Sequence, residues 1–292
     1  MTYRTLIQAP ELARLLEASP PEVLVFDLCF DLSDPDAGRR SYLAGHLPGA
    51  RYLSLDADLS GPKTGRNGRH PLPDRASFAR RMAALGVSDD RQIVAYDQAG
   101  GMYAARLWWM LRWAGHANVA VLDGGLPGWK AQGLPLEAGD PGPLPAVPES
   151  ASAALPLRPP LATTVDREFL LMNLSQPTLL VVDARSPDRF RGENETLDPI
   201  GGRIPGARNR FFKDNLGADG RFKSAETLRA EIQAVTGGRA PATLVQQCGS
   251  GVTACHNLLA MAHAGLDGSA LYPGSWSEWS AWPDAPVATG PA

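Results

Sequence analysis

The 292-residue chain is predicted to fold as two tandem α/β domains, each a parallel sheet flanked by helices. Three observations favour this fold class. Short apolar runs alternate with helical patterns, the same landmarks occur twice in the same order, and proline-rich sequence separates the two sets. We place the first domain at residues 1–140, a linker at 141–160 and the second domain at 161–292.

The internal repeat rests on four pairs of segments. "VLVFD" matches "LLVVD", "HLPGAR" matches "RIPGAR", and "DGGLPGW" matches "PGSWSEW". "IVAYD" aligns with "LVQQC", so that Asp97 of the first copy stands where the second copy has Cys248. A repeat of about 150 residues is far too long for a solenoid, and it indicates a duplicated domain.

In the second copy, apolar runs predict buried strands at residues 178–183, 242–247 and 269–273. A helix is predicted over 224–235, with Ser224 as its N-cap. Another begins near Thr253 and ends at Gly265, a residue suited to a helix C-terminus. Strands and helices in this order indicate a sheet covered on both faces.

The loop that follows the second of these strands carries the predicted chemistry. Cys248 lies at the carboxyl end of the strand, where parallel sheets bind ligands. Gly249 and Gly251 let backbone N–H groups turn inward, and the start of the next helix adds positive potential. We expect this cradle of amides to favour an ionised, nucleophilic Cys248. An inert, buried cysteine is the alternative.

Composition limits the partners. With a net charge of −3 and a pI near 6.0, the chain has no general basic field, so we expect no nucleic acid partner. The densest basic patch, "GRNGRH" at residues 65–70, is predicted to be an exposed loop. No apolar run is long enough for a membrane span and the N-terminus lacks a signal-peptide pattern, so we expect a cytoplasmic protein.

The three cysteines have neither disulfide nor zinc spacing, and no metal site is predicted. Cys29 follows an apolar strand and Cys255 lies within a predicted helix. We expect both to be core residues. Most of the tryptophans are likewise expected to pack in cores.

Three motifs resemble those of the rhodanese family of sulfurtransferases in its tandem-domain form. They are "YLAGHLPGARYL" (42–53), "YPGSWSEW" (272–279) and "CGSGVTA" (248–254), and the last is most similar to the loop of 3-mercaptopyruvate sulfurtransferases. The resemblance covers nearly the whole chain. It implies a catalytically silent first domain, in agreement with Asp97, and a second domain that carries sulfur as a persulfide on Cys248. It implies no metal or organic cofactor.

Two sulfur donors compete, 3-mercaptopyruvate and thiosulfate. The loop residues expected to bind the donor are Gly249, Ser250, Gly251, Val252 and Thr253. None of them has a cationic side chain, whereas relatives that use thiosulfate usually have cationic residues in this loop. The hydroxyl groups of Ser250 and Thr253 can hydrogen-bond a ketone or relay the proton of a thiol, which favours 3-mercaptopyruvate as the donor. Thiosulfate, with the same mechanism, is the alternative.

Arg189 matches the arginine that relatives use to hold the donor, and a guanidinium can bind a carboxylate with two parallel hydrogen bonds. Arg185 and Arg191 are expected to be solvated. Mercaptopyruvate enzymes often have a second donor-binding arginine in the following insert. Here residues 192–202 are acidic and contain no arginine, which weighs against that donor.

The resemblance also implies a proton relay in the first domain, from His46 with Asp36 or Asp34. A simpler role for His46, capping a turn before Pro48, is the alternative.

The expected partners are a small-molecule sulfur donor and a thiophilic acceptor, which can be cyanide, a thiol or a thioredoxin-like protein. We expect a monomer. A phosphatase of the C-x5-R type is disfavoured because Ala254 stands at the arginine position. A non-catalytic scaffold that binds sulfur or a partner is the more distant alternative.

Overall fold

The computed structural model describes residues 2–18, 23–142, 157–176 and 178–291. The chain divides into two compact units, one of Met1–Ser60, Pro73–Leu161 and Ala218–Arg221, the other of Gly61–Leu72, Ala162–Gly217 and Phe222–Ala292. Residues 61–72 therefore belong with the second unit. The sequence analysis placed them in the first domain, about 70 residues before the linker, because each domain was expected to be one continuous stretch of chain. Residues 143–156 of that linker lie outside the described ranges.

The first unit contains a parallel five-stranded sheet in the order β1-β5-β4-β2-β3. Its strands are β1 (Leu6–Ile7), β2 (Val23–Asp27), β3 (Arg51–Tyr52), β4 (Gln92–Tyr96) and β5 (Val119–Leu122). Its helices are α1 (Ala9–Glu17), α2 (Ala37–Ala44), α3 (Arg75–Ala84), α4 (Ala104–Trp113) and α5 (Gly125–Ala131).

The second unit contains a parallel four-stranded sheet in the order β7-β6-β8-β9. Its strands are β6 (Leu180–Asp183), β7 (Arg208–Asn209), β8 (Leu244–Gln247) and β9 (Ala270–Leu271). Its α-helices are α6 (Arg167–Asn173), α7 (Pro187–Arg191), α8 (Ala225–Thr236), α9 (Thr253–His263) and α10 (Ser275–Trp279), and short 3-10 helices span Phe212–Asn215 and Pro241–Thr243.

The two sheets have equivalent strand orders, which confirms the predicted fold class. The order β5-β4-β2-β3 of the first unit corresponds to β9-β8-β6-β7 of the second. Thr164 forms a parallel bridge to Leu271 at the edge where β1 pairs with β5 in the first unit. Asp97 directly follows β4 and Cys248 directly follows β8, so the two residues occupy equivalent places.

Both faces of the second sheet are buried. Val181 of β6 packs with Trp276 and Trp279, while its neighbours Leu180 and Val182 pack on the opposite side with residues of α8 and α9. Successive side chains of a strand point to opposite faces, so this division places helices on both sides of the sheet.

The local signals read from the sequence have the expected effects. The Ser224 hydroxyl accepts a hydrogen bond from the Thr227 backbone N–H and caps α8. Gly265 has a φ of 72° one residue beyond the C-cap of α9, as expected for a helix C-terminus. Trp108 and Trp109 are almost completely buried in the first unit. Among the described residues, no helix combines the length and apolarity that a membrane crossing requires.

Candidate active site

Cys248 lies at the carboxyl end of β8, in a loop that is hydrogen-bonded to the first residues of α10. Its backbone N–H donates to Ser275 Oγ at 3.1 Å, and its carbonyl accepts from the Trp276 N–H at 3.0 Å. Ser275 adopts a φ of 55°, which non-glycine residues rarely adopt, and its hydroxyl also donates to the Tyr272 carbonyl. The Cys248 side chain is buried, with 1 % of the residue exposed. A donor must therefore be small, or neighbouring side chains must move to admit it.

Gly251 makes the tight turn of this loop possible. Its φ is 73°, and a Cβ at this position would overlap the Pro273 carbonyl oxygen and lie 3.0 Å from the Pro273 Cα. Within the described residues, the backbone N–H groups of Gly249, Ser250 and Val252 donate to no other group of the protein. Those amides remain available to an anion at the start of α9.

The equivalent loop of the first unit shows backbone amides converging on a carboxyl group. The Asp97 carboxylate accepts hydrogen bonds from the backbone N–H groups of Ala99, Gly101, Tyr103 and Ala104, at distances between 2.7 and 3.0 Å. Burial raises the pKa of Asp97, and the four amides act in the opposite direction. The first unit thus fills its amide cradle with its own side chain.

Two arginines flank Gly249. A Cβ placed on Gly249 would lie 3.2 Å from Nη2 of Arg69 and 3.8 Å from both terminal nitrogens of Arg189. Arg189, in the middle of α7, is the predicted donor-binding residue. Arg69 comes from the segment that was expected to be an exposed basic loop. A second arginine, absent from the insert at 192–202, therefore lies beside Gly249 and comes from residues 61–72.

Both arginines are paired with buried carboxylates. Arg189 donates to Glu195 through Nε at 3.0 Å and through Nη2 at 2.8 Å. Asp198 lies between the two guanidinium groups, with Oδ1 2.8 Å from Arg69 Nη1 and Oδ2 3.3 Å from Arg189 Nη2. Arg191 pairs with Glu193 near the surface.

Arg185 corrects another expectation, because it is buried rather than solvated. It donates to Asp183 and to the Gly202 carbonyl, and its guanidinium carbon lies 4.5 Å from the centroid of the Trp276 ring. Burial lowers the pKa of Arg185, but the Asp183 and Glu195 carboxylates outweigh this effect and the net shift is upward. Arg185 therefore links Asp183 at the end of β6 to Glu195 and to Trp276 of α10.

Ser250 is paired with a histidine that the sequence analysis missed. His70 Nδ1 lies 2.8 Å from Ser250 Oγ, and both side chains are buried. Residues 65–70 form a loop, as predicted, and Gly65 and Arg66 are exposed, but Arg69 is half-buried and His70 is buried within the second unit. No sequence signal indicated this pair, because 180 residues separate the histidine from the serine and the local composition around His70 is that of a loop.

Two of the predicted loop residues lie at the start of α9. Val252 is the N-cap residue of α9 and is buried, and Thr253 is the first residue of that helix and is partly exposed. With Gly249, Ser250 and Gly251 they form a continuous turn from β8 to α9. Their role in donor binding stays a prediction.

His46 and Asp36 lie in the first unit. The His46 ring is buried, its Nδ1 lies 2.8 Å from the Tyr42 carbonyl oxygen, and it stacks on the Tyr42 ring. Asp36 is exposed and precedes α2. These contacts favour the turn-capping role of His46, and the relay stays a prediction.

The other two cysteines are buried, as expected. Cys29 is completely buried, and burial raises the pKa of its thiol, with the nearby Asp27 carboxylate adding to the shift. The Cys255 Sγ lies 3.3 Å from the Gly251 carbonyl, to which it donates. In the described part of the chain, no group of three or more His, Cys, Asp or Glu side chains is arranged to hold a metal ion.

The chain belongs to the rhodanese family: the Rhodanese-like domain matches it twice, over residues 8–132 and 166–281. It is 46 % identical over 296 residues to a Pseudomonas aeruginosa protein named "Probable 3-mercaptopyruvate sulfurtransferase", covering 99 % of this chain and 100 % of the relative. It is 34 % identical over 288 residues to the thiosulfate sulfurtransferase of Bos taurus, covering 95 % and 92 %.

A solved structure of the same family has a similar fold. The 3-mercaptopyruvate sulfurtransferase from Leishmania major superimposes with a TM-score of 0.83 at 32 % identity, over 95 % of this chain and 74 % of that one. The duplicated fold, the cysteine loop and these likenesses together identify the protein as an enzyme of the sulfurtransferase class.

Proposed function

We propose that the enzyme takes sulfane sulfur from 3-mercaptopyruvate and passes it to a thiophilic acceptor through a persulfide on Cys248. The observation that carries the choice of donor is the charge balance beside Gly249. Arg69, Arg185 and Arg189 are offset by three carboxylates, those of Asp183, Glu195 and Asp198. A site with little net charge is better matched to the single carboxylate of mercaptopyruvate than to the dianion thiosulfate.

Each donor atom has a partner in this proposal. The terminal nitrogens of Arg69 and Arg189 nearest Gly249 bind the carboxylate, and the free amides of the Cys248 loop bind the reacting end of the molecule. In this proposal the Ser250 hydroxyl, which lies 2.8 Å from His70 Nδ1, accepts the proton of the donor thiol.

The first half-reaction is a displacement at sulfur. The Cys248 thiolate attacks the donor sulfur, an S–S bond forms, and the C–S bond breaks with its electron pair on the carbon of departing pyruvate enolate. The thiol proton passes through Ser250 and His70 to that carbon, so that pyruvate leaves and an anionic persulfide remains. The amide cradle stabilises that negative charge.

In the second half-reaction the acceptor attacks the outer sulfur and the Cys248 thiolate leaves. Cyanide gives thiocyanate, and a thiol or a thioredoxin-like protein gives a persulfide. Ping-pong kinetics are expected for such a covalent carrier. We also propose that the enzyme is a cytoplasmic monomer and that a thioredoxin-like protein can serve as the acceptor.

The test combines mass spectrometry with kinetics. Incubation with mercaptopyruvate should add one sulfur atom to the intact protein, Cys248→Ser should take up none, and the control Cys29→Ala should behave as the wild type. The ratio kcat/KM, measured on one preparation, should be higher for mercaptopyruvate than for thiosulfate. A clear preference for thiosulfate would overturn the donor assignment, and sulfur uptake by Cys248→Ser would overturn the mechanism.

A further inference from the structure

We propose that Glu195 and Asp198 select the sulfur donor by neutralising the two arginines beside the Cys248 loop. The inference rests on the proposed function, because it concerns the donor that reacts at Cys248. It gives the acidic segment, defined here as residues 193–198, a part in the specificity of the enzyme. The sequence alone shows only that this segment is acidic.

Glu195 is fixed in place by several partners. Its carboxylate binds Nε and Nη2 of Arg189, accepts the Leu197 N–H at 3.0 Å and lies 3.4 Å from Arg185 Nη1. Only 3 % of its side chain is exposed. Burial acts to raise the pKa of Glu195, but these hydrogen bonds and the positive charges outweigh it, and the pKa lies below its ordinary value. Glu195 is therefore ionised at neutral pH.

Asp198 joins the two arginines. Its Oδ1 lies 2.8 Å from Arg69 Nη1, its Oδ2 lies 3.3 Å from Arg189 Nη2 and 3.5 Å from Arg69 Nη2, and only 3 % of its side chain is exposed. Like charges brought together without a shared counter-ion repel each other. Asp198 thus permits both guanidinium groups to lie beside Gly249, and it also cancels part of their charge.

This neutralisation affects the two donors differently. Mercaptopyruvate brings one negative charge and thiosulfate brings two, so every carboxylate beside the site penalises thiosulfate more. With charges about 6–10 Å apart and an effective dielectric constant of about 20, removing one carboxylate changes the relative affinity by about tenfold to a hundredfold. The arginines are only 20–22 % exposed, so solvent screening is incomplete.

The experiment compares three isosteric variants. Asp198→Asn and Glu195→Gln remove a charge beside Gly249. Glu193→Gln is the matched control, because it removes the same charge from the same segment, but its partner is the more exposed Arg191. For each variant, kcat/KM is measured with thiosulfate and with mercaptopyruvate, using cyanide as the acceptor, at low and at moderate salt.

The expected result is a rise that is larger for thiosulfate than for mercaptopyruvate. In Asp198→Asn, kcat/KM for thiosulfate should rise more than that for mercaptopyruvate, which shifts their ratio by at least about tenfold (~1.4 kcal/mol). Glu195→Gln should shift the ratio in the same direction, Glu193→Gln should not shift it, and the shift should shrink as salt increases.

Loss of activity with both donors in parallel, in Asp198→Asn and in Glu195→Gln, would show that these residues only support the structure and would overturn the inference. An unchanged ratio would overturn it as well. The proposed function fails by a different observation, namely a wild-type enzyme that prefers thiosulfate. The two failures are distinguishable because one concerns the wild-type ratio and the other its change on substitution.

Discussion

Replacing Gly251 with alanine tests how strictly the Cys248 loop is fixed. The new Cβ would overlap the Pro273 carbonyl oxygen and lie 3.0 Å from its Cα. Non-bonded carbon atoms prefer separations of about 3.5 Å or more, so the loop must move by about half an ångström or more. The positive φ of 73° adds strain of about 1–2 kcal/mol.

Displacements of about 1 Å at a reacting group cost about a hundredfold in rate, so we expect kcat/KM of Gly251→Ala to fall by about tenfold to a hundredfold. Thiocyanate formation from mercaptopyruvate and cyanide measures this effect. The matched control is Gly237→Ala, which has a φ of 64° and open space around its Cβ. It should lose stability and keep its activity. Equal rates for the two variants would refute the claim that the Pro273 contact positions the loop.

Three further outcomes are expected. Ser250→Ala and His70→Asn should each lower kcat with mercaptopyruvate by about a hundredfold or more, and the double variant should be little worse than either single one, as steady-state kinetics can show. Asp97→Asn should destabilise the first unit by about 2–4 kcal/mol in urea unfolding, because an amide cannot satisfy four N–H donors, while sulfur uptake at Cys248 continues. Because the pKa of Glu195 is below its ordinary value of 4.5, its contribution to stability is complete above pH 4.5 and is lost as the pH falls through the lower folded-state pKa. Acid unfolding followed by circular dichroism should therefore depend less on pH in Glu195→Gln.

The fold was predictable because its signals are local and repeated. Buried strands appear as apolar runs, Ser224 is a recognisable cap, and the matching segments around Asp97 and Cys248 reveal the duplication. The position of Cys248 followed from the same reasoning, since the end of a parallel strand is where such sheets bind ligands.

The surroundings of Cys248 were less predictable. Arg69 and His70 lie in a segment of turn-forming residues whose composition suggests an exposed loop. Only the three-dimensional fold brings them to Gly249 and Ser250. The same holds for the burial of Arg185, which depends on the distant Gly202 carbonyl and Trp276 ring as well as on Asp183, two residues away.

The membership of residues 61–72 in the second unit has a consequence for anyone who dissects this protein. A gene fragment cut at the proline-rich stretch would encode the cysteine without Arg69 and His70. Such a truncated piece should be a poor catalyst even when it folds. The two halves of the duplicated sequence are therefore not interchangeable, because deleting the first half also deletes residues 61–72 of the second unit.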